Sequence, residues 1–270
     1  MSKSTDDLPL KILNSWEEFD EFVSKNRYRD WVYRGQSNCE WKIDSSLSRL
    51  FDEAKLIHKA AKGIPRRLAH IAHERLLLEK FQSHAHIYTN HLPPKDKKLE
   101  WLSIMQHFGA PTRMIDVTFS PYIALYFALQ SGTGDAALYA LKPKHYREID
   151  EKELKIEVKA DKIFDHEKDD NTFFIAYEPE QSNVRLMAQQ GLFLVPSKIS
   201  VPFTDILGDY YHGDSQFIRF LIPASLRVEG LRKLKRMNIT ASVLFPGMDG
   251  FCKSLHSQVI DTTRQLERVS

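Results

Sequence analysis

Apolar residues return at two different periods along this chain, and each change of period marks an element. Trp16, Phe19, Phe22 and Val23 recur at helical spacing behind Ser15-Trp16-Glu17-Glu18, a capping box, so a helix is predicted there. Trp31 to Gly35 reads as a short strand carrying Arg34 at its end. Arg66 to Tyr88 is predicted as a long amphipathic helix with Leu68, Ile71, Leu78 and Phe81 turned inward, stopping before Pro93-Pro94. Trp101 to Phe108 ends a further helix, Gly109 suits the left-handed position beyond it, and Pro111 prevents the helix from resuming. Thr112 to Val117 reads as a strand. Ser120 is then an N-cap with Pro121 at the first helical position and an apolar stripe of Ile123, Ala124, Phe127 and Ala128 behind it.

The second half reads mainly as strands: Ala136 to Leu141, Phe173 to Tyr177, Gly191 to Val195 and Phe217 to Ile222. Helices are predicted at Ser225 to Met237 and Gly250 to Leu266. Between the strands at Ala136 to Leu141 and Phe173 to Tyr177, residues 142–171 are rich in Lys, Glu and Asp without an apolar period, which predicts a charged, exposed insertion. No repeat or linker marks a boundary. The expectation is a tail at residues 1–14 followed by a single α+β domain over residues 15–270.

Composition narrows the class only a little. A chain of 270 residues, 42% hydrophobic and 27% charged, can bury a full core and reads as an ordinary soluble protein. Its formal net charge of +2 gives no support to a nucleic-acid partner, though a local patch is left open. Cys39 and Cys252 are too few for a disulfide framework and fit a reducing cytosol. The polar start and the lack of a long apolar run predict neither a signal peptide nor a membrane span, so a cytoplasmic protein is expected.

Candidate chemistry gathers in Gln106 to Ala128. Arg113, Asp116 and Ser120 fall near the ends of a predicted strand and beside a helix start, where binding sites are common. Arg113 and Asp116 lie three apart, so on a regular strand they face opposite ways and do not pair. Each either lines a site or anchors a loop, and Asp116 is a candidate partner for Arg34 or Arg113. Arg34 either grips a phosphate or ribose, with Gly35 letting the ligand approach the backbone, or pairs with a buried carboxylate. His107, at a helix end, is a capping residue, a base or a ligand contact. Gln189 and Gln190 are amides before a strand that serve either a ligand or a loop. Thr112 and Thr118 read as turn and cap hydroxyls. No phosphate-binding glycine loop is present, and His70 and His73 lack further ligands at zinc spacing, so no metal site is expected. Lys-Arg clusters at Arg66-Arg67 and Arg232 to Arg236 read as solvated helix faces.

Four ordered motifs give the chain a resemblance to the FRG domain family. They are Tyr33-Arg34-Gly35 followed by Gln36; Gln106, His107, Phe108, Gly109, Pro111, Thr112, Arg113 and Asp116; Arg185, Gln189, Gly191 and Phe193; and Leu244, Phe245, Pro246, Asp249 and Gly250. One departure is Val117, where the family usually has Trp after the Asp. The resemblance implies a fold like that of ADP-ribosyltransferases, a split β-sheet core with N-terminal and C-terminal helices that takes NAD, as substrate, in a cleft between two small sheets. Those enzymes carry an Arg on the first core strand, a Ser or Tyr strand running into a helix, and a late Glu or Gln beside a strand. Here Arg34, Ser120 and Gln190 match that order as catalytic candidates, with Tyr33, Arg34, Gly35, Gln106, His107, Arg113, Asp116 and Gln189 as NAD contacts. Gln190 is neutral where most such enzymes use Glu, and Glu178 or Glu180 is the alternative carboxylate. The resemblance implies transfer of ADP-ribose to a macromolecular acceptor or cleavage of NAD, as a toxin or antiphage effector. A non-catalytic nucleotide-binding or protein-interaction module on the same fold is the alternative.

Overall fold

A computed structural model describes residues 9–57, 66–154, 159–167, 170–210 and 216–255. In chain order the elements are β1 (Leu10–Ile12), α1 (Trp16–Ser24), β2 (Val32–Gln36), α2 (Ser46–Ile57), α3 (Arg66–His84), α4 (Lys98–His107), β3 (Ile115–Thr118), α5 (Pro121–Leu129), β4 (Ala136–Leu141), α6 (Pro143–Leu154), β5 (Phe174–Tyr177), α7 (Val184–Ala188), β6 (Gly191–Pro196), α8 (Phe203–Asp209), β7 (Phe217–Ile222), α9 (Arg227–Arg236) and α10 (Ala241–Leu244). Short 3-10 turns cover Ala85–Ile87, Ala160–Glu167 and Ala224–Leu226, and residues 248–255 are helical.

The strands form one open sheet in the order β1-β7-β4-β2-β3-β6-β5, so the architecture is mixed α+β. All neighbours are antiparallel except β1, which runs parallel to β7. β2 pairs with β4 along its whole length, from Val32↔Leu141 to Gln36↔Ala137. Its other neighbour, β3, meets it only at Tyr33↔Thr118, while β3 goes on to pair fully with β6. The sheet is continuous there through a single residue pair, and beyond it β2 and β3 part.

Alternation along β2 assigns its side chains to two faces. Tyr33 joins the core built with α1, α5 and α9, which includes Trp16, Phe19, Ala124, Phe220 and Leu234. Val32 joins the opposite core, with Tyr139, Tyr146, Phe203 and Phe217. Arg34 and Gln36 follow Val32 on that second face. A third cluster, around Trp101, Leu102, Met114 and Phe193, packs α3 and α4 against β6.

Several expectations hold at their ends. Ser15 Oγ accepts from Glu18 N–H, though the Glu18 carboxylate reaches back to Asn14 N–H and not to Ser15. Ser120 Oγ accepts from Ile123 N–H at 3.3 Å with Pro121 first in α5, and Gly109 is left-handed at φ 81°. Other expectations are corrected. β3 begins at Ile115 because Thr112 Oγ1 accepts from Met114 N–H and folds residues 112–114 into a turn. Helix α3 ends at His84 and tightens into a 3-10 turn, leaving Tyr88 exposed. Among the described residues of 142–171 the expected exposure does not hold throughout: Tyr146, Asp150 and Ile163 are buried, because α6 and the 160–167 turn each lay one side on the sheet. The last helix starts at 248, ahead of the expected Gly250, so Asp249 sits in its first turn. The side chains of Arg66, Arg67 and Leu68 and residues 256–266 lie outside the described residues. Among the described residues, no helix is long and apolar enough to cross a membrane.

Candidate functional site

Where β2 and β3 part, a cleft of about 730 Å³ opens. Its walls come from Tyr33 to Gln36, the loop after β2, α2, Asp116 to Thr118, α5, and the Arg185 and Gln189 pair at α7. Arg34 Nη1 spans the fork and donates to the main-chain oxygen of Asp116 at 2.6 Å. Its Nε meets no partner, and among the described residues no carboxylate lies within ion-pair distance of this guanidinium. Burial presses the arginine's pKa down from its usual value, only partly opposed by the charge of Asp116, with the Arg49 cation pressing the same way. A half-buried cation with one neutral partner is a site short of an anion.

Gly35 has a different use from the one expected. A Cβ there would lie 1.9 Å from the carbonyl oxygen of Ala124 and 2.6 Å from the amide nitrogen of Ala128. The glycine lets α5 lie directly on β2, a packing use that sequence alone did not suggest, while the residue still lines the cleft. Tyr33, beside it, is buried, which raises its pKa.

Asp116 stands exposed on the β3 wall, where Gln106 Nε2 donates to its Oδ2 at 2.7 Å. Gln106 in turn accepts from Thr112 Oγ1 at 2.6 Å, so it orients Asp116 from behind and does not line the cleft. Arg113 is set apart from the others. It is fully buried, with Nε 2.7 Å from Glu74 Oε1, Nη2 on Glu74 Oε2, and Nη1 3.3 Å from the Pro196 carbonyl. No ligand in the cleft reaches it; its work is to tie α3 to the end of β6. His107 also lies outside the lining, and burial, with the Arg185 cation adding to it, lowers its pKa, against the charged form that the helix end favours.

Of the remaining candidates, Gln189 lines the cleft, its Nε2 donating to the Leu244 carbonyl at 3.0 Å. Gln190 and Ser120 do not line it. Gln190 is left-handed at φ 46°, its Oε1 accepts from Tyr28 OH, and its carbonyl accepts from Phe119 N–H. Ser120 Oγ is committed to the cap. Thr118 takes the cleft position on that strand, donating to the Gln189 carbonyl at 2.7 Å. Glu178 is held by Arg29 at 2.6 Å and Glu180 pairs with Lys97 at 3.5 Å, and neither lines the cleft.

Sequence reasoning missed Trp41, Asp44, Arg49 and Asp52, all on the cleft wall. The signal was present in Asp44-Ser45, a helix start: Ser45 Oγ accepts from Ser48 N–H at 3.1 Å ahead of the unexpected α2. Asp44 accepts from Ser45 N–H and Ser48 Oγ, and burial still raises its pKa.

The FRG domain family model matches residues 29–137, a span that holds the first two motifs, β2, β3, α5 and most of the cleft wall. No curated protein and no solved structure matches the chain.

Proposed function

We propose that this chain is an ADP-ribosyltransferase-like protein that takes NAD in the cleft, cleaving it or passing its ADP-ribose to a macromolecule. Arg34 carries the reading. It is a half-buried guanidinium without a carboxylate, its Nε covered and unpartnered at the fork of a sheet, and a diphosphate supplies the missing charge with bidentate geometry. The sheet order lends further support. β2, β3 and β6 are consecutive neighbours, so the three segments that the FRG resemblance picks out in sequence order, the Arg strand, the strand running into a helix and the strand after the late Gln, lie side by side in one sheet.

Loss of nicotinamide leaves an oxocarbenium-like cation at the ribose, which preorganised negative charge stabilises. The neutral Gln190 cannot supply it, and its side chain is turned to Tyr28. Asp116, oriented by Gln106, is the carboxylate on the β3 wall suited to that role. Thr118 and Gln189 take over the contacts first assigned to Ser120 and Gln190. A second reading, nucleotide binding without turnover, is favoured by one observation: both late glutamates are held outside the cleft.

Calorimetric titration with NAD, followed by mass spectrometry for released nicotinamide and for ADP-ribosylated protein or nucleic acid, tests both. Turnover lost in Arg34→Ala and Asp116→Asn supports the first reading, and binding without turnover supports the second. A wild-type protein that binds no NAD refutes both.

A further inference from the structure

The loop from Ser37 to Lys42, which follows Arg34 and Gln36 on the cleft wall, is held by its main chain to an unusual degree. Four of its carbonyl oxygens are each taken by a side chain, three from elsewhere in the fold and one from Gln36 at the loop's own start. Arg227 Nη2 donates to Ser37, Arg219 Nη2 to Cys39 at 2.6 Å, Tyr139 OH to Trp41 at 3.4 Å, and Gln36 Nε2 to Lys42 at 3.1 Å. Two main-chain bonds add to these, Cys39 N–H to the Asp135 carbonyl and Trp41 N–H to the Asn38 carbonyl. Arg227, Tyr139 and Gln36 are themselves buried. The loop is fixed from the sheet side.

On this fixed loop stands an exposed indole. The chain has four tryptophans, and three of them, Trp16, Trp31 and Trp101, are core residues at 2%, 3% and 4% exposure. Trp41 is 56% exposed and lines the cleft, with Lys42 next to it and Arg49 also on the wall. Leaving so large an apolar face in water gives up its burial free energy, and the loop's own packing does not need it. A planar face carried on a main chain that is fixed before any ligand arrives lowers part of the ordering cost of stacking on it.

We propose that Trp41 is the stacking platform for a heteroaromatic ring of the bound nucleotide, making it a positioning residue of the cleft. This rests on the nucleotide reading above and adds to it a ring contact on the wall opposite β3. The ring face of adenine and that of nicotinamide are both suited to an indole, and the ligand series separates them.

The test is calorimetry together with intrinsic fluorescence, using NAD, ADP-ribose and nicotinamide mononucleotide on the wild type, Trp41→Ala and Trp41→Phe. Because Trp41 is the exposed tryptophan, quenching by iodide reads it selectively. NAD is expected to quench the emission and to shield it from iodide. Trp41→Ala is expected to lose about tenfold or more in NAD affinity, within the range of base stacking on an aromatic side chain, while Trp41→Phe keeps most of it. The variant effect appears with ADP-ribose if the ring is adenine and with nicotinamide mononucleotide if it is nicotinamide. Equal NAD affinity in the wild type and Trp41→Ala, with unchanged iodide access, overturns the platform and leaves the nucleotide reading standing. No binding of any of the three by the wild type overturns both.

Discussion

Replacing Gly35 by alanine is the sharpest test of how the cleft is built. The added methyl would lie 1.9 Å from the Ala124 carbonyl oxygen and 2.6 Å from the Ala128 amide nitrogen. Both are main-chain atoms of α5, so no rotamer change relieves the overlap. β2 cannot withdraw either, because β4 is paired to it along its whole length. To reach the ordinary 3.4 Å contact, α5 must therefore lift by about 1.5 Å. Overpacking of this kind costs about 1–3 kcal/mol, and a backbone obstacle belongs at or beyond the upper end. The gain from restricting the unfolded chain is only about 0.4–1 kcal/mol, so the loss wins. A net loss of about 2–3 kcal/mol lowers the melting temperature by roughly 4–12 °C for a protein of this size. Differential scanning calorimetry with NAD titration in parallel is the assay. A Gly35→Ala protein that melts with the wild type but has lost nucleotide affinity would refute the packing argument and return Gly35 to ligand approach.

Four further outcomes are expected. Arg34→Ala should melt close to the wild type, since it removes one bond to a main-chain oxygen, yet lose NAD binding in calorimetry; a large melting loss with unchanged affinity shows Arg34 to be structural. Arg113→Ala leaves Glu74 buried without its partner and should destabilise by about 3–5 kcal/mol in urea titration, and stability within 1 kcal/mol of the wild type defeats the core-pair account. Asp150 is raised from 3.8 to about 6 by burial, so the folded state holds its proton more tightly than the unfolded chain, and stability from this group is lost as pH climbs from about 4 to about 6; Asp150→Asn should flatten that part of the stability–pH curve, and an unchanged curve rejects the assignment. Asp249→Ala should cost no more than about 1 kcal/mol, the scale of a first-turn acid, whereas Gly250→Ala, whose methyl would lie 1.7 Å from the Phe245 carbonyl, should cost more; the reverse order in thermal melts shows that the acid holds the helix.

What the sequence revealed was mostly local. Ser120-Pro121 and Gly109 announce helix ends because their chemistry acts within a turn, and the strands of the second half follow from apolar and β-branched runs. The charged stretch after Lys142 misled because one helical side needs only Tyr146 and a carboxylate such as Asp150 facing inward, too little to register as a period. Helix α2 escaped for a similar reason, its start signal lying in four polar residues. At the site, sequence spacing identified Arg34, Asp116 and Gln189 but could not separate Arg113 from them. Only the arrival of Glu74 from a helix 39 residues away makes Arg113 a core residue. Gly35 shows the same limit, since a glycine opened for a helix and one opened for a ligand read alike until the helix is seen to cross it.

The lone Tyr33↔Thr118 pair has a mechanical consequence. Four strands lie on one side of it and three on the other, so the sheet is two wings on one pin. Past the pin, the Arg34 bond to the Asp116 carbonyl acts as a latch between the wings. An anion gripped by Nε and Nη2 would leave that latch closed, whereas one that takes Nη1 would compete with it, so the way the guanidinium is gripped decides whether the jaws loosen. Ligand affinity and the gape between β2 and β3 would then be set by the same side chain.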